Sequence, residues 1–528
     1  MEQIEFNLLE EPWIRVLNAD GTVEEVSLTD ALLRAHEFQD LAGEMPAQDV
    51  AVLRLMLAVL QTVFYRMDLS GENMPLQNRE EALLRWKMLW SHKDEGLPQK
   101  PIQQYLDSWR ERFWLFHPQR PFYQIVQAEI GTAYGAAKLN GEISESANKL
   151  RLFATYAKEY KAAMDYAQAA RWLLYVNGFD DTSAKPKGKN LPSAGAGWLG
   201  KLGILLAQGR NLAETLLLNL VLLKDGDCLW EEPQPCWELE QPRCGERTEI
   251  SCPDNAAALL TLQSRRLLLH REHDLAVGYF LLGGDFFQKE NAFGEQMTIW
   301  RKIQEKSHTP AFHQPARHDP SKQFWREFPI AFSQEGDIHA PGIVKWITAL
   351  QRKKYLERKR RIYFKRVGVE YGDKDFFVKD TFCDTLAFHI QLLDELGSAC
   401  RIKVITEIQN CEKLADQVGW LAKELALSAG NEGVGQTRAA KEQFYYEIDQ
   451  PFCQWLYQLE PEDDMDTAVE SWRAQAKRIA YGLGRTMVEA AGTPALVGRA
   501  IEKGDKKIYY CAPKVYNRFL YHVNQIYP

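Results

Sequence analysis

NLLEEPWIRVLNADGTVEEVSLTDALLRA, residues 7–35, sets two secondary-structure periods side by side. Trp13 to Val16 reads as a strand, Asp20-Gly21 as a hairpin turn, and the residues up to Val26 as a second strand. Ser27 or Thr29 then caps a helix. From Gln48 to Tyr65, the residues Val52, Leu55, Met56, Val59, Leu60 and Val63 recur at helical spacing, which predicts a buried amphipathic helix. Helices and short strands alternate to about residue 370 without a regular βαβ rhythm, so the fold class is α+β rather than doubly wound. After Gly372 the pattern changes. Four helical segments, 384–408, 411–429, 436–459 and 465–492, joined by short links such as Ser428-Ala429-Gly430-Asn431, predict an antiparallel four-helix bundle. The expected organisation is a large mixed N-terminal domain, 1–380, followed by the bundle, 381–528.

The 45% hydrophobic and 26% charged composition of the 528 residues excludes a disordered chain. The longest apolar run, Leu216 to Leu223, is interrupted by Asn219 and falls far short of the roughly 20 residues that span a bilayer, so no membrane span is expected. Glu2, Glu5, Glu10 and Glu11 at the N-terminus do not resemble a signal or transit peptide, and a cytoplasmic location is expected. The nine cysteines suit reduced thiols. Cys228, Cys236, Cys244 and Cys252 recur every eight residues, but none forms the C-x-x-C pair that brings two thiolates to one tetrahedral ion. Ordinary thiols are expected there, and no cofactor.

A net charge of −8 argues against coating nucleic acid by bulk electrostatics and leaves local patches. The densest is QRKKYLERKRRIYFKR, residues 351–366, where Arg352, Lys353, Lys354, Arg358, Lys359, Arg360, Arg361, Lys365 and Arg366 alternate with Tyr355, Tyr363 and Phe364. It reads either as a solvated face or as a surface for nucleic acid or an acidic partner. Two stretches read as long loops: Gly131 to Lys149, and Asp180 to Lys201 with Lys185, Lys187, Lys189 and Lys201.

Catalytic motifs are sparse. GAGWLGK, residues 195–201, has the glycine and lysine spacing of a phosphate-binding P-loop, but Leu202 stands where Ser or Thr would hold magnesium. The preceding KPKGKNLPSA is not an apolar strand. A glycine-rich loop flanked by lysines still lets main-chain N–H groups approach a phosphate backbone. His270 and His273 lack the H-E-x-x-H pattern. His308, His313 and His318 recur near Asp319, but Pro310, Pro315 and Pro320 indicate an irregular segment rather than one helix face. No G-x-S-x-G elbow is present.

Several segments, in order, resemble the CasA family, the large subunit of the type I-E CRISPR Cascade surveillance complex. They are the opening 7–32, DVAVLRLMLAVLQTVF (49–64), FHPQRPFYQ (116–124), GRNLAETLLLNLVLL (209–223), DPSKQFWREF (319–328), VGVEYGDKDFFVKDTFCDTLAF (367–388), FYYEIDQPFCQWLYQL (444–459) and GTPALVGR (492–499). The resemblance implies a non-catalytic subunit that recognises the protospacer-adjacent motif (PAM) in double-stranded DNA, helps open the duplex for R-loop formation, and recruits a helicase-nuclease. Implied partners are the other Cascade subunits, the crRNA 5′ handle, target DNA and that trans-acting helicase-nuclease. Guide pairing reads the remaining sequence.

Carried over to this chain, the resemblance implies a PAM-reading glycine loop at Gly195, Ala196, Gly197, Trp198, Leu199, Gly200 and Lys201. It implies a lysine hairpin in 279–300 with Lys289 as its lysine, and a wedge hairpin at 371–376 carrying Gly372, Asp373, Lys374 and Asp375. Family wedges use Asn and Gln there, so this tip departs from the pattern. A loop contacting the crRNA handle and PAM-side DNA falls on 134–148, with Lys138, Asn140, Asn148, Lys149 and Arg151 as polar contacts. The paired C-x-x-C motifs by which some relatives hold zinc are missing, so no metal is implied. The competing readings are a metal-dependent nuclease using His308 to Asp319, and a scaffold that only joins other proteins.

Overall fold

The computed structural model describes residues 4–141, 162–181, 191–290, 292–305, 310–333, 338–462, 464–503 and 506–528. The chain divides into two units, the first comprising 1–320, 330–356 and 363–385, the second 321–329, 357–362 and 386–528.

In the first unit the opening stretch forms strands Ile14–Asn18 and Val23–Val26, with Phe38–Leu41 on the other side of Ile14–Asn18, all antiparallel. Ser27 caps the following helix, its hydroxyl accepting from the Asp30 N–H at 3.0 Å. Helix Pro46–Arg66 is buried on nearly every face. It has the length and apolarity of a membrane span, yet 94% of its most apolar window is enclosed by protein. Its one buried cation, Arg54, is met by Glu295 at 2.9 and 3.0 Å, which offsets the cost of placing a charge in a core.

Two three-stranded antiparallel sheets flank the site described below. Arg265–Glu272, Leu275–Gly283 and Thr132–Gly135 form one; Val378–His389, Arg361–Tyr371 and Ile204–Gln208 form the other. The first expected loop therefore begins as a strand and a short helix, Ala136–Leu139. Gly-Ala-rich sequence hid this, because the strand is specified by the edge of Leu275–Gly283 rather than by its own side chains.

The second unit holds four packed helices, Ser398–Ala429, Val434–Gln458, Met465–Ala490 and Ala512–Ile526. Trp472 lies at its centre, 5.0 Å from Phe452 and 5.3 Å from Trp455, with Trp325 stacked on Phe452 at 4.3 Å. The predicted segments need correction. Residues up to His389 are strand, where Leu386 and Phe388 alternate into the interior. The expected break near 408–411 lies inside one continuous helix of 32 residues, because buried Asn410 finds a partner in Glu407. The fourth helix is Ala512–Ile526, preceded by an Arg499–Lys503 and Lys506–Tyr510 hairpin that the helical pattern did not foretell.

Candidate nucleic-acid interface

The glycine loop connects the end of helix Tyr166–Phe179 to strand Ile204–Gln208. Only glycine fits at two of its positions. A Cβ on Gly197 would lie 2.3 Å from the Gly178 carbonyl oxygen, and one on Gly200 would lie 2.0 Å from the Tyr371 hydroxyl. Gly195 has φ +64, a left-handed conformation that favours glycine. The intervening apolar residues anchor the loop. Ala196, Trp198 and Leu199 are buried, and the Trp198 indole N–H donates to Glu295 at 3.0 Å. The segment closes in a single 3-10 turn, Leu199–Lys201, with no strand-loop-helix geometry around it.

Lys201 is half-buried and has no hydrogen-bond or ion-pair partner among the described residues. Burial, together with the positive charges of Arg265, Arg247, Lys289 and Arg317, pushes its ammonium down to about 7. Five cations therefore converge. Arg265 is held by Asp180 at 2.5 Å and by the Gly195 carbonyl at 2.6 Å. Arg247 donates to the Pro192 carbonyl and stacks on Phe286 at 3.8 Å. Lys289 is exposed and without a polar partner among the described residues. It lies in irregular chain beyond strand Leu275–Gly283, whose turn to Arg265–Glu272 is at the opposite end, so the expected lysine hairpin is instead a loop.

The expected wedge is a hairpin between strands Arg361–Tyr371 and Val378–His389, with Lys374 and Asp375 at φ +53 and +61. Arg317 joins it to the glycine loop. Its Nε donates to the Gly200 carbonyl at 2.6 Å, its two terminal nitrogens to Asp375 at 2.8 and 2.9 Å, and its plane lies 4.6 Å from the Tyr371 ring. Tyr371 in turn donates to the Phe179 carbonyl at 2.6 Å. Phe376, beside the tip, is 49% exposed. Asp373 and Lys374 are exposed at the turn that follows Gly372.

Arg247, Arg265 and Arg317 escaped sequence reading because each is isolated in a segment without a motif, although Arg265-Arg266 ahead of an apolar run was a visible signal. Other expected contacts are used internally. Lys138 pairs with Asp181 at 2.6 Å and Asn140 is buried; Asn148, Lys149 and Arg151 lie outside the described residues, as do Lys185, Lys187 and Lys189. The run 351–366 is not one uncompensated patch. Within the first unit Lys353 meets Glu80 at 2.8 Å and Arg366 meets Asp384 at 3.4 Å; within the second, Arg361 meets Glu460 at 2.6 Å, Arg360 meets Glu357 at 3.4 Å and Arg358 meets Glu462. Arg352 and Lys354 are exposed beside them.

The described histidines of the set, His313 and His318, do not share a site. His308 lies outside the described residues, His313 packs 5.7 Å from the His339 ring, and the buried His318 ring is bonded to the Ile204 carbonyl at 2.9 Å. Burial pushes His339 down to about 4, keeping it neutral. Among the described residues no three His, Cys, Asp or Glu side chains converge as a metal site, and Cys228, Cys236, Cys244 and Cys252 are free thiols.

Residues 7–483 match the family described as CRISPR-associated protein Cse1. A curated relative, the CRISPR-associated protein CasA/Cse1 of Thermus thermophilus, is 37% identical over 241 residues, an alignment that spans 46% of this chain and 43% of that protein, less than half of each. The crystal structure of Thermobifida fusca Cse1 superposes with a TM-score of 0.84 at 27% identity, covering 99% of this chain and 98% of that one. A chain of a structure titled CRISPR RNA-guided surveillance complex superposes with a TM-score of 0.72 at 17% identity, covering 98% and 99%, a likeness of fold.

Proposed function

The chain belongs to the CRISPR-associated Cse1 family, and on that premise we propose that it is the large, non-catalytic subunit of an RNA-guided surveillance complex, reading the PAM with the surface around Lys201. One observation carries this reading: Arg317 fastens the glycine loop to the hairpin tip, so that Lys201 and the tip form one surface. The five clustered cations supply the local phosphate attraction that the net acidic chain lacks overall. Arg317 pairs with Asp375, and the tip presents Asp373, Lys374 and the exposed ring of Phe376. An exposed aromatic side chain suits insertion between base pairs, where it partially unstacks a step. Minor-groove reading by backbone and lysine is degenerate and suits tolerance of related motifs.

The subunit's partners in this reading are the crRNA handle, the other complex subunits, the duplex and a trans-acting helicase-nuclease, and it works inside the cell. The test is binding of a duplex library, randomised beside the protospacer, to the guide-loaded complex with and without this chain. A sequence preference and strand opening that appear only with the chain support the reading. Equal, unselective binding without it overturns the reading.

A further inference from the structure

Away from the glycine loop, a small cleft opens between residues 120–125 and 236–243. Arg112, Arg120 and Arg243 line it with Tyr123, Trp237 and Gln263, and no Asp or Glu is among its lining residues. Arg112 has no hydrogen-bond or ion-pair partner among the described residues, and burial together with the Arg120 charge beside it holds its pKa below the ordinary arginine value. Among the described residues Arg120 donates only to the Glu240 carbonyl. Arg243 pairs with Asp285 at 3.2 Å, but Arg266 takes the other oxygen of that carboxylate, so one negative charge serves two guanidinium groups. On the facing segment Glu238 is bound by Arg66 at 2.9 Å, and Glu240 is exposed and outside the cleft lining.

Two further groups wait for a partner. Tyr123 and Gln263 are 8% and 7% exposed, line the cleft, and have no side-chain hydrogen bond among the described residues. Tyr123 also holds φ +58, an uncommon conformation for an aromatic residue and one that persists where the surroundings impose it. The polar atoms of these side chains open on the cleft, so a phosphate entering it would meet guanidinium groups and hydrogen-bond donors together. Burial pushes the Cys236 thiol at the cleft up to about 12, which disfavours the nucleophilic thiolate.

We propose that this cleft binds a phosphate group, free or as a monoester, with Arg112 and Arg120 taking its oxygens, Tyr123 and Gln263 donating to them, and Arg243 closing the site. Paired guanidinium groups match the geometry of phosphate oxygens better than lysines would.

The test is thermal unfolding of the full chain in inorganic phosphate, in a nucleoside 5′-monophosphate, and in a short oligonucleotide with or without a 5′-phosphate, each against chloride of equal ionic strength. At saturating ligand the expected result is a rise in Tm of about 2 °C or more, lost in Arg112→Gln and weakened in Gln263→Leu, and kept in Arg438→Gln, an exposed arginine of the second unit. A preference for the 5′-phosphorylated strand identifies a nucleic-acid end as the source. Equal shifts with inorganic phosphate identify a free anion. No shift with any phosphate probe, or equal shifts in wild type and both cleft variants, overturns the proposal. Should Arg112→Gln fail to fold, Gln263→Leu carries the same comparison.

Discussion

Arg317 grips Asp375 through two parallel hydrogen bonds of 2.8 and 2.9 Å, linking residues 58 positions apart in sequence. The same guanidinium also holds the Gly200 carbonyl. The pair is about one-third exposed, so its value lies less in global stability than in fixing the hairpin tip against the glycine loop.

Arg317→Ala is expected to leave the chain folded, with Tm within about 2 °C of wild type, while lowering PAM-dependent duplex binding by the assembled complex about tenfold, since one lost bidentate charge pair is worth on the order of 1–2 kcal/mol. Arg317→Lys is expected not to restore binding, because an ammonium cannot satisfy both Asp375 oxygens and the carbonyl together. Binding curves at constant salt check both variants.

Lys201 is pushed down to about 7 by burial and the surrounding cations. A phosphate placed beside it favours the charged form, so binding takes up a proton, and affinity is expected to fall as pH rises from 7 towards 9. The native pKa lies below the unfolded value of 10.5, so between these limits the unfolded chain binds more protons and stability rises with pH. Lys201→Met is expected to flatten both profiles. Calorimetry in two buffers of different ionisation enthalpy reads the proton uptake directly.

Phe376→Ala is expected to preserve duplex capture and slow strand opening about tenfold, because the exposed ring supports no buried core. Fluorescence of 2-aminopurine placed beside the PAM follows the opening. Unchanged opening would remove Phe376 from the wedge.

Gly197→Ala puts a methyl 2.3 Å from the Gly178 carbonyl oxygen, a backbone atom that cannot swing aside. The loop is expected to shift and selectivity to be lost, even though the substitution adds a single carbon. Gly435→Ala, where a Cβ meets open space, is the matched control. Library selection with the two variants separates the cases.

In the second unit, Glu407 accepts from Arg473 at 2.7 Å and from the Tyr527 hydroxyl at 2.7 Å, and is 1% exposed. Glu407→Ala strands a buried hydroxyl and a guanidinium, an expected loss of about 2–4 kcal/mol. Urea unfolding followed by tryptophan fluorescence should show an earlier transition for the bundle.

The elements with strong local periods were legible. The strands about Asp20-Gly21, the Ser27 cap and helix Pro46–Arg66 follow from neighbouring residues alone, and the ordered family segments pointed to the Cse1 fold. Residues 384–389 of strand Val378–His389 were read as the start of a helix because DTLAFH carries few residues that exclude one, and the strand that specifies them precedes them across a hairpin. The expected segments 384–408 and 411–429 meet inside one helix, Ser398–Ala429, where buried Asn410 donates to Glu407, a contact visible only in the packed structure.

The sequence by itself determined the mixed-then-helical order of elements, the glycine loop and the positions of the charges, because these depend on residue type and short-range spacing. Only the tertiary structure decided which charges remain unneutralised. The basic run 351–366 meets Glu80, Asp384, Glu460 and Glu462, whereas Lys201 meets four other cations and Arg112 has no ion-pair partner among the described residues. Coulomb interactions fall off with distance in space, not with separation along the chain, so a dense charge run can be silent while isolated residues form a site.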